Sequence, residues 1–533
     1  MEKRSNKQII FFLILITLIY YIPGIISPRD FWVEDEARYA EVMQEMVHED
    51  QWLVPHLNGH FYPDKPPVYF WLSAVPSLLL GEISPFSMMI ISWLSTLGCV
   101  IACFYFTKKL FNNNRTAILS ALTFMSIFLT ITCGLIVRMD MLMTFFIILS
   151  LFYFHEGYTK NNSNYYYLFY IFSGFAILTK GPFGFTFSFF PAIALLIQKK
   201  EFSKVFKLLR HPGFLVMVLM VFSWLAAAWL AGHEDFVHNL FFKQIAGRAV
   251  NSFSHKEPFY FYLMLLPIVL LPWTPFIPRA TKKIHAVNSD GLKLLFWWFT
   301  LGLITVSFVS GKLFIYLLPI MPPVAIILGY FFSQLFENKI KAGKTFILEG
   351  ILAALLTFGL FGVIPFVTQN FPVVKHYNFF IMAYIFIPLT ILSIILSIMK
   401  KCRVHFITLF IGMWFFVLIG SQVIVPQLDP LFSGRKIGNE VKKYIEQGNS
   451  VATYKVRRGI FNFYANSKFT ELQKDDLINY LENPDNVLIA KENDFRKKGH
   501  IFGDGVDALS RHEIANEKYV VLRKLKSADA ERK

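Results

Sequence analysis

The stretch Asp35–Trp71, DEARYAEVMQEMVHEDQWLVPHLNGHFYPDKPPVYFW, runs between two strongly apolar segments yet carries acids, histidines, a Lys-Pro-Pro and several aromatics. A connector that only leads the chain from one membrane crossing to the next needs none of these. Outward from it, apolar runs of about twenty residues recur at roughly 9–27, 86–107, 116–134, 137–155, 165–179, 182–198, 212–232, 259–277, 292–310, 313–336, 346–367, 378–399 and 404–425, each long enough to cross a hydrocarbon layer of about 30 Å. The expectation is a mainly α, polytopic membrane protein with about thirteen transmembrane helices. With 533 residues, 55% of them hydrophobic, the chain is too apolar for a soluble domain and too long for a single anchor. The 59 phenylalanines suit lipid-facing and interhelical surfaces and discriminate no function.

The formal charge of +16 is placed in a way that argues against nucleic acid as partner. Lys3, Arg4 and Lys7 precede the first run, and basic clusters follow at Lys108/Lys109/Arg115, Lys199–Arg210, Arg279–Lys283, Lys339–Lys344 and Lys400–Arg403. Thirteen crossings put all of these on the side of the N-terminus, the positive-inside pattern, so the N-terminus is expected in the cytoplasm and the C-terminus outside. Cys99, Cys103, Cys133 and Cys402 sit in or at the edge of apolar runs and make no disulfide framework. The first run has a basic flank but no small-x-small cleavage pattern, so it is expected to remain as a span.

Two regions are polar. One is the outer loop at 28–85, within a membrane domain of 1–429; the other is the tail, 430–533, on the outer side. In the loop, Tyr39, Val42, Met43, Met46 and Val47 fall at helical spacing, with Glu41, Glu45 and Glu49 on other faces, the pattern of an amphipathic helix at the interface whose acidic face looks to water or substrate. The tail alternates helical patterns (434–447, 474–482) with β-rich runs (450–455, 486–490, 518–523), which predicts a small α/β domain acting as an accessory module.

The unusual polar residues collect at the outer ends of the spans. Asp35, Asp64 and Lys65 lie in the first outer loop, Arg138 and Asp140 between the third and fourth spans, and Lys180 before Gly181-Pro182. Arg248 and His255 lie in the loop 233–258, and Lys312 and Tyr316 at the start of the tenth span. Ionisable groups beside hydrocarbon are costly and persist for a purpose. Mixed acids and bases on one face suit a phosphate-bearing lipid, with Lys and Arg neutralising phosphate and a carboxylate acting as base or holding a cation. Each residue also has a plainer role: Asp35 and Glu36 as acids at a helix start, Arg138–Asp140 as a membrane-edge pair, Lys180 snorkelling to headgroups. His48, His56, His60 and His255 share no metal-ligand spacing.

Taken together, these residues resemble the GT-C membrane glycosyltransferases, and among them the lipid A aminoarabinose transferases and the dolichyl-phosphate-mannose protein mannosyltransferase superfamily. The resemblance is carried by D-E-x-R-Y-A-E at Asp35–Glu41, W-x-x-P-x-L-N-G-x-x-Y-x-[DE]-K-P-P at Trp52–Pro67, R-x-D at Arg138–Asp140, L-T-K-G-P at Leu178–Pro182, H-K-x-P-F-Y-x-Y at His255–Tyr262 and S-x-K-L-x-x-Y-x-L-P at Ser310–Pro319. It implies a glycosyltransferase that takes a sugar, an amino sugar in the nearest case, from undecaprenyl phosphate to lipid A on the periplasmic side of the bacterial inner membrane. It further implies Asp35 as the principal catalytic acid and Asp140 as a second one. Tyr62, Lys65, Lys180, Arg248 and Tyr316 would grip the donor phosphate, supported by Glu36, Arg138 and Lys312. The family's acid before the lysine is usually Glu and has a metal-ligand role; here it is Asp64, and the resemblance implies a divalent metal on Asp64 and His255. Another envelope-glycan or protein O-glycosyltransferase is the alternative within the class, since the acceptor is not written in the motifs. A lipid-sugar flippase would instead place charged or helix-breaking positions near mid-membrane.

Overall fold

The computed structural model describes residues 5–33, 35–240, 257–284, 289–309, 311–368 and 379–524. Two compact units emerge: Met1–Ser27, Pro63–Ser73 and Met88–Ile424 form the first, and Pro28–Tyr62, Ala74–Ser87 and Val425–Lys533 the second.

The first unit is helical. Among the described residues nine helices are long and apolar enough to cross a membrane, eleven if two sharply bent helix pairs each count as one crossing. Asn164–Lys180 and Pro182–Gln198, 17 residues each, account for the remaining two of the thirteen expected runs. The bent pairs are Asn114–Ser126 with Phe128–Gly134, at 66°, and Phe261–Val269 with Thr274–Ile284, at 108°. Ile127, at the first bend, is extended (φ −64°, ψ 131°), and the Phe128 N–H donates to Leu271 O at 2.9 Å rather than continuing the helix. The second bend carries Pro272 and Pro275, which cannot donate to a helical ladder. The run at 313–336 resolves into a 3-10 turn, Phe314–Ile320, followed by the helix Met321–Phe336.

The second unit contains the helix Asp35–His48, a short hairpin of β1 (His56–Leu57) and β2 (His60–Phe61), and an α/β domain. That domain has β3 (Val451–Tyr454), β4 (Thr470–Glu471), β5 (Val487–Lys491), β6 (Val506–Ile514) and β7 (Glu517–Lys524) in the order β4-β3-β5-β7-β6, with β3 parallel to β4 and β5 and the other pairs antiparallel. Both faces are covered, so the central strands read as continuous apolar runs. Val487, Ile489 and Val521 pack with Ile437 and Val441 of the helix Arg435–Glu446, while Leu488, Ala490 and Leu522 pack with Leu477 and Leu481 of the helix Leu477–Glu482.

The expected amphipathic helix forms over Asp35–His48 and Glu49 is exposed just beyond it, but Glu41 and Glu45 do not look to water. Glu41 and Glu45 are each 3% exposed. Both Glu45 oxygens accept the Gly59 N–H, at 3.0 and 3.2 Å, and Lys468 Nζ lies 3.8 Å from Glu45 and 2.6 Å from Glu49. Asn58 joins the hairpin to the same region, donating to Phe469 O at 2.8 Å and accepting from the Asn462 amide at 2.9 Å and the Phe469 N–H at 2.7 Å. The period was readable; the partner of its acidic face lies more than 400 residues away in the chain.

Burial, with the neighbouring Glu45 charge, pushes the Glu41 carboxyl from 4.5 up to about 8. The folded chain therefore keeps a proton that the unfolded chain loses above pH 4.5, and stability falls as pH rises from there to about 8. Glu41→Gln removes this dependence. Its melting temperature is expected to exceed that of the parent at pH 8.5, with the gap closing towards pH 5; a loss of equal size at both values would contradict the burial of a protonated Glu41.

Candidate active site

Arg138, Asp140 and Lys180 of the first unit meet where two packed helices end. Asp140 opens the helix Asp140–Lys160, and Lys180 closes Asn164–Lys180. A carboxylate at a helix N-terminus and an ammonium at a C-terminus each lie at the favourable end of the macrodipole. Lys180 Nζ donates to Asp140 Oδ1, and Arg138 Nε lies 3.4 Å from Asp140 Oδ2. Asp140 is 1% exposed and Lys180 8%, so this is a dry ion pair.

Two glycines make the geometry possible. Gly181 takes φ +81°, which lets the chain reverse directly after Lys180 into the helix that starts at Pro182. At Gly184 a Cβ would fall 2.3 Å from the carbonyl carbon of Ala176, so the two helices approach closely only without a side chain there.

The Lys180 ammonium also lies 4.5 Å from the centroid of the Tyr316 ring, which in turn contacts Phe183 at 5.7 Å. Lys65, in the Pro63–Pro67 stretch, is near enough for its charge to act on the Asp140 carboxylate. Arg138, Asp140, Lys180, Tyr316 and Lys65 are thus brought together, three cations around one carboxylate. Such a cluster holds a surplus of positive charge suited to phosphate oxygens. Lys312 is buried with its Nζ donating to the carbonyls of Val309, at 2.7 Å, and Glu257, at 3.0 Å, which ties its loop to the segment before the helix Phe261–Val269.

In the second unit Asp35 and Glu36 begin the helix Asp35–His48. Glu36 is committed to structure: it pairs with Arg29 and accepts the Trp32 N–H at 3.0 Å. Asp35, its side chain a quarter exposed, lies 4.0 Å from Arg38. The Arg38 guanidinium sits 5.1 Å from the Tyr62 ring centroid, and the Tyr62 N–H donates to Pro55 O at 2.8 Å. Arg38 went unassigned in the sequence, although it stands inside the motif Asp35–Glu41. Arg29 and Asp429 gave no signal of periodicity or spacing. Arg248 and His255 lie outside the described residues.

Among the described residues no group of three or more His, Cys, Asp or Glu side chains converges as metal ligands. His56 is engaged with Val54 O at 2.8 Å and packs its ring against Phe61 in a tilted contact at 5.1 Å. Of the metal reading's two residues, Asp64 and His255, the second lies outside the described residues.

Residues 64–226 match the family described as dolichyl-phosphate-mannose-protein mannosyltransferase. A protein of Shewanella sediminis called undecaprenyl phosphate-alpha-4-amino-4-deoxy-L-arabinose arabinosyl transferase is 29% identical over 352 residues, 64% of this chain and 63% of that protein. Its namesake from Pectobacterium carotovorum is 28% identical over 61% of this chain and 58% of its own length. One from Pseudomonas fluorescens is 28% identical over 78% and 74%. The chain thus spans about three fifths of the first two relatives. The crystal structure of ArnT from Cupriavidus metallidurans bound to undecaprenyl phosphate superposes with a TM-score of 0.76 at 15% identity, covering 98% of this chain and 99% of that one. The apo form gives 0.78 at 16%, covering 97% and 98%. The fold is that of the ArnT-like GT-C glycosyltransferases, a multi-span membrane architecture with a small C-terminal α/β domain.

Proposed function

We propose that this chain is an inner-membrane glycosyltransferase that moves an amino sugar, 4-amino-4-deoxy-L-arabinose, from undecaprenyl phosphate to lipid A on the periplasmic face. The observation that carries this reading is the dry cluster of Asp140, Lys180, Arg138 and Tyr316 with the charge of Lys65 beside it. The names of the relatives and the fold shared with ArnT agree with it.

In this reaction the bond between the anomeric carbon and the donor phosphate oxygen breaks, its electron pair leaving with undecaprenyl phosphate. A bond forms between the same carbon and an oxygen of the acceptor. Charge grows on the departing phosphate, and fixed cations such as Lys65 and Lys180 stabilise it most in a site without water. A phosphate acceptor is largely ionised near neutral pH, so no proton has to be taken from it. Asp35 then serves as the negative group that stabilises the oxocarbenium-like sugar and orients the acceptor. A hydroxyl acceptor would instead require Asp35 as a true general base.

The test is mass spectrometry of lipid A from a gene deletion complemented with the parent or with Lys65→Ala. The aminoarabinose-modified species is expected with the parent and is expected to be lost with Lys65→Ala. Identical lipid A in the deletion and the complemented parent would overturn the lipid A assignment.

A further inference from the structure

We infer that Asp429, in the helix Val425–Phe432, is a positioning residue for the glycosyl transfer: it clamps the strap Arg29–Val33 and so fixes the start of the helix that carries Asp35. The inference rests on the activity proposed above and goes beyond it by assigning a role to the C-terminal residues.

Four successive backbone donors of the strap are each caught by a separate acceptor. The Asp30 N–H goes to Asp429 Oδ2 at 3.1 Å, the Phe31 N–H to Tyr464 Oη at 2.7 Å, the Trp32 N–H to Glu36 Oε2 at 3.0 Å and the Val33 N–H to Phe432 O at 2.9 Å. A strap that merely led into a helix would leave most of these donors to water. The second oxygen of Asp429 accepts the Trp32 indole N–H at 2.6 Å, and the Trp32 ring stacks on Phe432 at 4.9 Å. Arg435 adds an ion pair to Asp30 at 3.0 Å. The strap is bonded to the helix as well: Trp32 O accepts the Ala37 N–H at 3.2 Å, and Glu36 holds both Arg29 and Trp32. Asp429 therefore acts on the first turn of the helix through two hydrogen bonds to residues three and five positions before Asp35. A shift of about 1 Å in a catalytic group can cost on the order of a hundredfold in rate.

Both Asp429 oxygens face donors. An amide at this position offers one acceptor and one donor, so Asp429→Asn opposes an N–H to either the Asp30 N–H or the indole. Trp32→Phe removes only the indole N–H and keeps a stacking ring; combined with Asp429→Asn, it relieves the mismatch.

The experiment measures kcat and KM of the purified full-length protein with undecaprenyl-phosphate-linked 4-amino-4-deoxy-L-arabinose and lipid A, for the parent, Asp429→Asn, Trp32→Phe and the double variant. It is paired with hydrogen exchange of residues 29–48. Asp429→Asn is expected to lower kcat about tenfold or more with the donor KM within about twofold, and the double variant is expected to be more active than Asp429→Asn alone. Exchange should quicken from Asp30 through the first turn of the helix. Parental kcat in Asp429→Asn, unchanged exchange, or no relief by Trp32→Phe overturns the positioning role while leaving the proposed activity standing. An inactive parent overturns the activity and, with it, this inference.

Discussion

Asp35→Asn is expected to leave the protein folded and to lower transfer by on the order of 10²–10⁴-fold, the range for losing a positioned acid or base. The side chain is a quarter exposed and Arg38 lies 4.0 Å away, beyond hydrogen-bond distance, so the amide is expected to cost little stability. The isosteric amide keeps the first-turn geometry of the helix Asp35–His48. What it removes is the negative charge that the proposed reaction assigns to stabilising an oxocarbenium-like sugar. The melting temperature and the transfer rate, measured on the same preparation, separate the roles. A variant with parental melting and parental rate would reduce Asp35 to an ordinary acid at a helix N-terminus.

The second large effect is expected at the Asp140–Lys180 pair. Asp140→Leu leaves Lys180 buried at 8% exposure without its carboxylate, and breaking one side of a buried pair costs about 3–5 kcal/mol. The expected outcome is a melting temperature lowered by several degrees together with loss of transfer. Replacing both partners, Asp140→Leu with Lys180→Met, removes the stranded charge, and the melting temperature is expected to recover most of the way. Transfer is not, because the cation proposed to meet the donor phosphate has gone as well. A double variant that regained activity would show the pair to be structural only.

Much of this fold could be read from local pattern. The thirteen apolar runs are each helical among the described residues, because a stretch of about twenty apolar residues has few other ways to satisfy its backbone in lipid. The central strands β3, β5 and β7 were legible as apolar β-rich runs, whereas β6, VDALSRHEI, was missed: it is an edge strand with one face in water, and its polar residues hide the alternation. The break at Ile127 had no Pro or Gly to announce it, since it is made by the bond from Phe128 to a distant carbonyl. In the site, Asp140 and Lys180 were visible as ions beside hydrocarbon, and Gly181-Pro182 announced the turn that brings them together. The solvent face of the Asp35–His48 helix was misjudged, and Asp429 was missed, for one reason. Lys468 and Asp429 meet their partners across about 400 positions of chain, and a single sequence carries no record of such pairings.

The proposed reaction is transfer of an amino sugar from a polyprenyl phosphate by this chain. Its most direct test is incubation of the purified, detergent-solubilised protein with undecaprenyl-phosphate-linked 4-amino-4-deoxy-L-arabinose and lipid A, followed by mass spectrometry of both lipids. Sugar-modified lipid A and free undecaprenyl phosphate are expected to appear together in equal amounts with the parent and not with Asp35→Asn. Lipid A left unmodified by a folded parent protein, or modified equally well by Asp35→Asn, would contradict it.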